Sequence, residues 1–188
     1  MIGKLKCYLK NNTSITDEQI DQISGCFRPK TVKKNTLLLS EGETCKELYF
    51  IHIGCIRTYY VTKQGHEKTR HIAFDNSIVT SVSSFISQKS SFEFVETLEN
   101  SALYAIGNKD FFQLVSDIPL WGNFYRKFLE MAYLHQNKKL ENRITLSAKE
   151  RYNRLMSEEP IYIQRLSNRL LASYLDITQE TLSRLKSK

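Results

Sequence analysis

Breakers and metal ligands are scarce in this chain. Three prolines and seven glycines are spread over 188 residues, too few for a collagen-like or low-complexity segment, and no internal repeat is present. No apolar run approaches the roughly 18 residues that a membrane-crossing helix needs, and no leader of basic then apolar character opens the chain. The four cysteines, Cys7, Cys26, Cys45 and Cys55, include no C-x-x-C pair, so the usual zinc and iron–sulfur spacings are missing. These absences are read as a cytoplasmic protein with reduced thiols and no membrane partner. Four histidines leave little for a metal enzyme. His66 and His71 fall on opposite faces of a strand, and no H-x-H pair followed by Glu exists to converge on an ion. Neither a Ser-His-Asp signature nor a Gly-rich phosphate loop is found, so an enzyme is not expected.

What the chain does have is a positive charge gathered at one end. The formal charge is +7. Residues 138–188 hold 11 Lys and Arg against 6 Asp and Glu, and residues 1–137 hold 16 against 14. A basic C-terminal quarter is the footprint of attraction to phosphates.

That quarter also carries the most organised pattern. Leu166, Leu170, Leu171 and Leu175 line one helical face. Asp176, Ile177 and Thr178 interrupt it, and a second helical phase begins with Leu182 and Leu185. Thr178 suits an N-cap, and Glu180 lies where the helix dipole favours a negative charge. Two helices joined so tightly pack only if the first is small where the second crosses, and Ala172 supplies the small residue opposite Leu182. This is the arithmetic of a helix-turn-helix, whose second helix enters the major groove. Most such turns carry Gly where this chain has Asp176, a residue that tolerates the left-handed conformation. An ordinary amphipathic hairpin has the same spacing. The second helix, however, offers Gln179, Thr181, Ser183, Arg184, Lys186 and Lys188, all base-reading or phosphate-binding types, beside Thr178 and Glu180.

Upstream, residues 1–10 read as a short helix. A second opens at Thr16 with Gln19 completing a capping box. From Thr31 the period shortens. Short β-rich runs follow at close spacing, punctuated by Asn35, Gly42, Gly54 and Gly65, as in a closed double sheet or jelly roll. Residues 92–98 and 102–106 are expected to pair across Glu99-Asn100-Ser101, and the Ser-rich stretch 77–91 to form a loop and short helix. Asn108 is expected to cap a short helix. Pro119 suits the first turn of a long one reaching about Arg143, some 36 Å at 1.5 Å per residue. Along it Phe124, Phe128, Met131 and His135 follow a 3–4 spacing like that of a coiled-coil seam. A single face buried within one molecule fits the same pattern.

In this order the pieces resemble the Crp/Fnr family of bacterial transcriptional regulators. The resemblance runs from about residue 20 to the end. It is carried by Leu39-x-Glu41-Gly42-Glu43, by Leu48-Tyr49-Phe50-Ile51-x-x-Gly54-x-Ile56-Arg57, and most specifically by Leu171-Ala172-x-x-Leu175-x-Ile177-Thr178-x-Glu180-Thr181-Leu182-Ser183-Arg184. It implies an α+β chain with three parts. A double-stranded β-helix (jelly-roll, cyclic-nucleotide-binding-like) domain spans 1–117, a long dimerisation helix 118–145, and a helix-turn-helix domain 146–188. It also implies double-stranded DNA and a second copy of the chain as partners, with RNA polymerase a further candidate. By the resemblance, Gln179, Glu180 and Arg184 stand where base edges are read, and the chemistry agrees. Arg donates bidentately to guanine, Glu accepts from cytosine N4, and Gln pairs with adenine. Glu180 and Arg184, at i and i+4, could also pair with each other.

Two departures from the family pattern shape the expectation. Counted back from residues 102–106, the family's Gly-Glu pair falls on Thr80-Ser81, and its phosphate-binding Arg falls on Ser91. Without a guanidinium a cyclic phosphate loses its charge-assisted bonds. The effector pocket (Thr80, Ser81, Ser91) is therefore read as degenerate, with cAMP and cGMP not expected and no cofactor implied. The chain also stops at Lys188, where the family continues into a β-hairpin wing, so a truncated or wingless helix-turn-helix is expected. The competing reading is a sensor or interaction module that does not bind DNA.

Overall fold

The computed structural model describes residues 2–187. It is α+β, with a β-rich N-terminal part followed by helices. Helix α1 (Gly3–Asn12) precedes α2 (Asp17–Gly25). Thr16 Oγ1 accepts from the Gln19 amide, and Gln19 returns the bond to the Thr16 amide, so the expected capping box is formed.

Eight strands then build two four-stranded sheets. They are β1 (Arg28–Val32), β2 (Leu37–Leu39), β3 (Glu47–Ile53), β4 (Ile56–Val61), β5 (Glu67–Ala73), β6 (Ser77–Val79), β7 (Phe94–Thr97) and β8 (Ser101–Gly107). One sheet has the order β1-β8-β3-β6 and the other β2-β7-β4-β5. Non-consecutive neighbours in both sheets are the signature of a jelly roll rather than of successive hairpins. Turn chemistry follows the sequence: Asn35 and Asn76 adopt positive φ, as do Gly42 and Gly65. At Gly54 (φ 131°) a Cβ would collide with the side chain and backbone of Ser101, so only glycine fits between β3 and β4.

Three local expectations are corrected. Residues 92–98 and 102–106 do not pair with each other. β7 lies between β2 and β4, and β8 lies between β1 and β3. The Leu98 amide donates to Cys55 O, and Ser101 is already in register with Val32, so the intervening turn carries the chain from one sheet to the other. Alternating hydrophobicity is the same for a hairpin and for such a corner. The Ser-rich stretch contributes strand β6, paired with β3, before helix α3 (Val82–Ser87). Asn108 does not cap α4 (Asn108–Asp117), whose N-cap is Gly107. Its amide group donates instead to Phe85 O at 2.6 Å.

Helix α5 (Pro119–Thr145) opens at Pro119 as expected and runs 27 residues. It is followed by α6 (Ala148–Glu158), α7 (Ile161–Arg165), α8 (Asn168–Leu175) and α9 (Gln179–Lys186). The chain forms two compact units. One comprises the residues up to Tyr60 together with His71–Phe128, and the other Val61–Arg70 together with the residues from Leu129 on. The first unit's core joins both sheets to α1, α2, α4 and the start of α5. There Trp121 is fully buried, stacked on Phe124 at 4.6 Å and edge-on to Phe111 at 5.3 Å. In the second unit Tyr152, Leu155, Tyr162, Leu166, Leu171, Tyr174 and Leu182 are buried. Among the described residues no helix is long and apolar enough to cross a membrane.

Candidate nucleic-acid interface and effector pocket

Helices α8 and α9 form the crossed pair that the spacing predicts. Ser167 caps α8 by accepting from the Leu170 amide, and Thr178 caps α9 by accepting from the Thr181 amide at 3.1 Å. Between them Asp176 takes the left-handed conformation (φ 55°, ψ 48°), and its amide donates back to Ala172 O and Ser173 O. Ala172 and Leu182 are both buried, so the small residue sits where the close approach requires it. Burial of Leu171, Tyr174 and Leu175 on α8 and of Leu182 on α9 orients the pair.

The remaining face of α9 is exposed: Gln179, Glu180, Ser183, Arg184 and Lys186 all point to solvent. Thr178 is exposed and Thr181 half-buried, their hydroxyls 3.0 Å apart. Lys186 Nζ lies 2.6 Å from Asn168 Oδ1, and Lys188 is outside the described residues. Among the described residues Glu180 and Arg184 do not form the expected i, i+4 pair; both side chains are left to face outward.

Sequence reasoning missed what lies behind this pair. Residues 61–70, the tip of the β4–β5 hairpin, pack on α8. Ser173 Oγ accepts from the Thr69 amide at 2.9 Å and donates to Glu67 O at 3.1 Å, bonding like a fragment of a neighbouring strand. Asp176 is paired with Lys68 and, at 2.9 Å, with Arg143 of α5. Burial works against the Asp176 charge, but the bond from Lys68 and the charges of Arg143 and Arg151 outweigh it and hold the carboxyl below the usual range. Lys139 of α5 donates to Thr69 O and Arg70 O at 2.9 and 2.8 Å, and its ammonium stands 4.0 Å over the Tyr174 ring. Burial pushes this lysine down to about 7, with Asp176 opposing the shift. The only sequence signal was negative: Asp, rather than Gly, at a left-handed position.

In the first unit two of the three effector-pocket positions meet. Ser81 Oγ lies 3.1 Å from Ser91 Oγ, and both are buried. Thr80 does not join them; its hydroxyl turns to Glu47 O and to Cys45 Sγ. Between the two serines sits a carboxylate that the sequence reading passed over. Glu93, only 1% exposed, accepts from Ser81 Oγ at 2.8 Å, and its backbone brackets the Ser91 hydroxyl at 3.0 Å on both sides. The period of two along this segment, with Glu93, Val95 and Thr97 all buried, could have placed it inward. Three residues on, in β7, Glu96 holds the buried Arg57 at 2.7 and 2.8 Å, and the guanidinium stacks 3.8 Å over Tyr59.

The expected seam on α5 is corrected in part. Phe124 is buried in the core of the first unit and Phe128 packs against that core, because the helix begins as a core element. His135 is half-buried, and burial beside Lys139 and Lys138 lowers its pKa. Met131 remains exposed at 63%, as do Tyr133, Leu134, Leu140 and Ile144, the last at 74%.

The family model described as Cyclic nucleotide-binding domain matches residues 29–117. Electron transport regulator A of Shewanella oneidensis is 26% identical over 189 residues, covering 92% of this chain and 73% of that protein. The Anaerobic regulatory protein of Pasteurella multocida is 23% identical over 184 residues, covering 92% of this chain and 67% of that protein. Among solved structures, a transcriptional regulator of the crp/fnr family from Eubacterium rectale superimposes with a TM-score of 0.73 at 20% identity, over 94% of this chain and 83% of that one. These relatives are named as regulators, and the double sheet, the long helix and the C-terminal helix pair give this chain the fold of the solved crp/fnr-family structure it superimposes on.

Proposed function

We propose that the chain is a sequence-specific reader of double-stranded DNA that acts as a homodimer in the cytoplasm. The observation that carries this reading is the outward face of α9, where Gln179, Glu180 and Arg184 stand clear of a helix pair locked by Ala172 and Leu182. Arg184 is assigned to guanine, Glu180 to cytosine and Gln179 to adenine. Thr178, Thr181, Ser183, Lys186 and Lys188 are assigned to phosphate and neighbouring edges. Two copies pair through the exposed apolar residues of α5 and present their reading helices one turn of DNA apart, about 34 Å, on a palindromic operator.

The effector domain in this reading does not take cAMP or cGMP. A phosphate placed at Ser81 and Ser91 would meet the buried Glu93 carboxyl group, which already takes the Ser81 hydroxyl and offers an anion no cation in return. RNA polymerase is a further proposed partner, reached only from the DNA-bound state.

Selection of duplex sites from a random pool, followed by titration at several salt concentrations, tests the reading. A shared palindromic sequence is expected, with affinity falling steeply as salt rises because neutralised phosphates release counterions. Recovery of no common sequence, together with no salt-dependent binding, would leave an interaction module in place of a DNA reader.

A further inference from the structure

Glycine is the residue that a left-handed helix end favours, and this chain carries Asp at that point. The carboxylate has a use there that glycine could not supply. It receives Lys68 from the hairpin and Arg143 from α5. One turn earlier Ser173 takes up the Thr69 amide and the Glu67 carbonyl. Lys139 closes the same arrangement by capping Thr69 O and Arg70 O beneath the Tyr174 ring. Two elements distant in sequence, the hairpin and α5, are thus tied to the turn of the helix-turn-helix. Arg169 of α8 adds a longer contact to Glu67 at 4.0 Å.

We infer that Asp176 and Ser173 are positioning residues of the DNA reader, and that the hairpin tip 61–70 is an integral part of it. The inference rests on the DNA-reading proposal above. Because the hairpin engages α8 and the turn, it leaves Gln179, Glu180 and Arg184 uncovered. It sets the direction in which α9 is presented and does not block it. The short α8–α9 pair, eight residues each, shares its core with α6 and α7. The hairpin and the two α5 cations add a polar constraint at the turn. The hairpin residues that hold the reader lie more than a hundred residues before it.

Asp176→Gly separates positioning from folding. Glycine suits the left-handed turn, so the helix pair itself keeps its stability, while both ion pairs to Asp176 are lost. Ser173→Ala removes the second attachment. Amide hydrogen exchange of the full chain is read at residues 62–70 and, separately, across α8 and α9. Affinity is read with a duplex selected by the wild-type protein. The expected result is exchange at Thr69 faster by ten-fold or more in each variant, with α9 protection kept. Specific affinity falls by about ten-fold, roughly what one lost charge-assisted contact is worth, with an unchanged salt slope because no phosphate contact is touched. Unaltered exchange at Thr69 in both variants would overturn the docking of the hairpin. Faster exchange with equal or tighter DNA binding would overturn the positioning role alone. If the wild type selects no sequence, the DNA-reading proposal fails and the positioning role with it, whereas exchange still judges the docking.

Discussion

The Ser81 hydroxyl donates to the Glu93 carboxylate at 2.8 Å, inside the pocket where the resemblance places an effector's phosphate. The pocket has not simply lost an arginine. It has gained a buried carboxyl group that already accepts from Ser81, and that changes which repairs can work.

Ser91→Arg alone is therefore expected not to restore nucleotide binding, because the new guanidinium would pair with Glu93. Ser91→Arg combined with Glu93→Ala leaves the cation free for an anion, and only this double variant should be stabilised by millimolar cAMP in thermal unfolding. Stabilisation of the wild type or of the single variant would show that Glu93 does not exclude the phosphate.

Arg184→Ala should weaken binding to the selected operator by about 1–3 kcal/mol and relax preference at one base pair per half-site. Selection repeated with the variant checks this. Equal weakening on all sequences would instead make Arg184 a phosphate contact.

The helix crossing makes a separate prediction about stability. Ala172 is buried on α8, which packs on α9. Ala172→Leu overpacks it and should cost about 1–3 kcal/mol in urea unfolding, with DNA binding lost in parallel. A neutral effect would mean that the two helices are not held by this contact.

How far the sequence discloses these sites depends on the range of the physics involved. The helix pair is legible because capping by Thr178, the small Ala172 and the apolar spacing are all encoded within a dozen residues. The double sheet is legible as a class, since turns at Asn35, Gly54 and Gly65 mark many short strands. Which strands neighbour each other is not: β7 and β8 sit in different sheets although their alternation suits a hairpin. The attachment of Lys68 and Thr69 to Asp176 and Ser173 spans more than a hundred residues, and no local pattern records it. Glu93 lies between these cases. Its inward phase is written in the strand, but a charged residue is ordinarily assigned to the surface.

Protonation behind the helix pair should be visible in stability. Burial sets the Lys139 pKa at about 7 in the folded chain, against an ordinary value of 10.5. Between these values the unfolded chain binds more protons than the folded one, so stability should rise with pH from 7 toward 10. Above that the sign reverses: burial holds the Tyr174 hydroxyl up at about 12, and the unfolded tyrosine releases its proton near 10. Urea midpoints at pH 7, 8.5, 10 and 11 should pass through a maximum near pH 10. Lys139→Met should flatten the rising limb and leave the falling one. A wild-type midpoint that declines from pH 7 onward would contradict the burial of this ammonium.

The last prediction concerns the pairing of two copies. Phe124 lies in the core of its own unit, so Phe124→Ala should act on folding and lower stability by about 3–5 kcal/mol. Further along α5, Tyr133, Leu140 and Ile144 are exposed at spacings of seven and four, the repeat of a two-stranded seam. A charge at such a position costs the monomer little because the side chain is already in water. In a seam it would be buried without a partner. Leu140→Glu with Ile144→Glu should therefore sediment as a monomer at micromolar protein, with a urea midpoint that no longer rises with protein concentration, and should lose most operator affinity because a single half-site remains. A double variant that still sediments as a dimer would move the seam off these residues. A wild type that is monomeric would remove the pairing through α5 altogether.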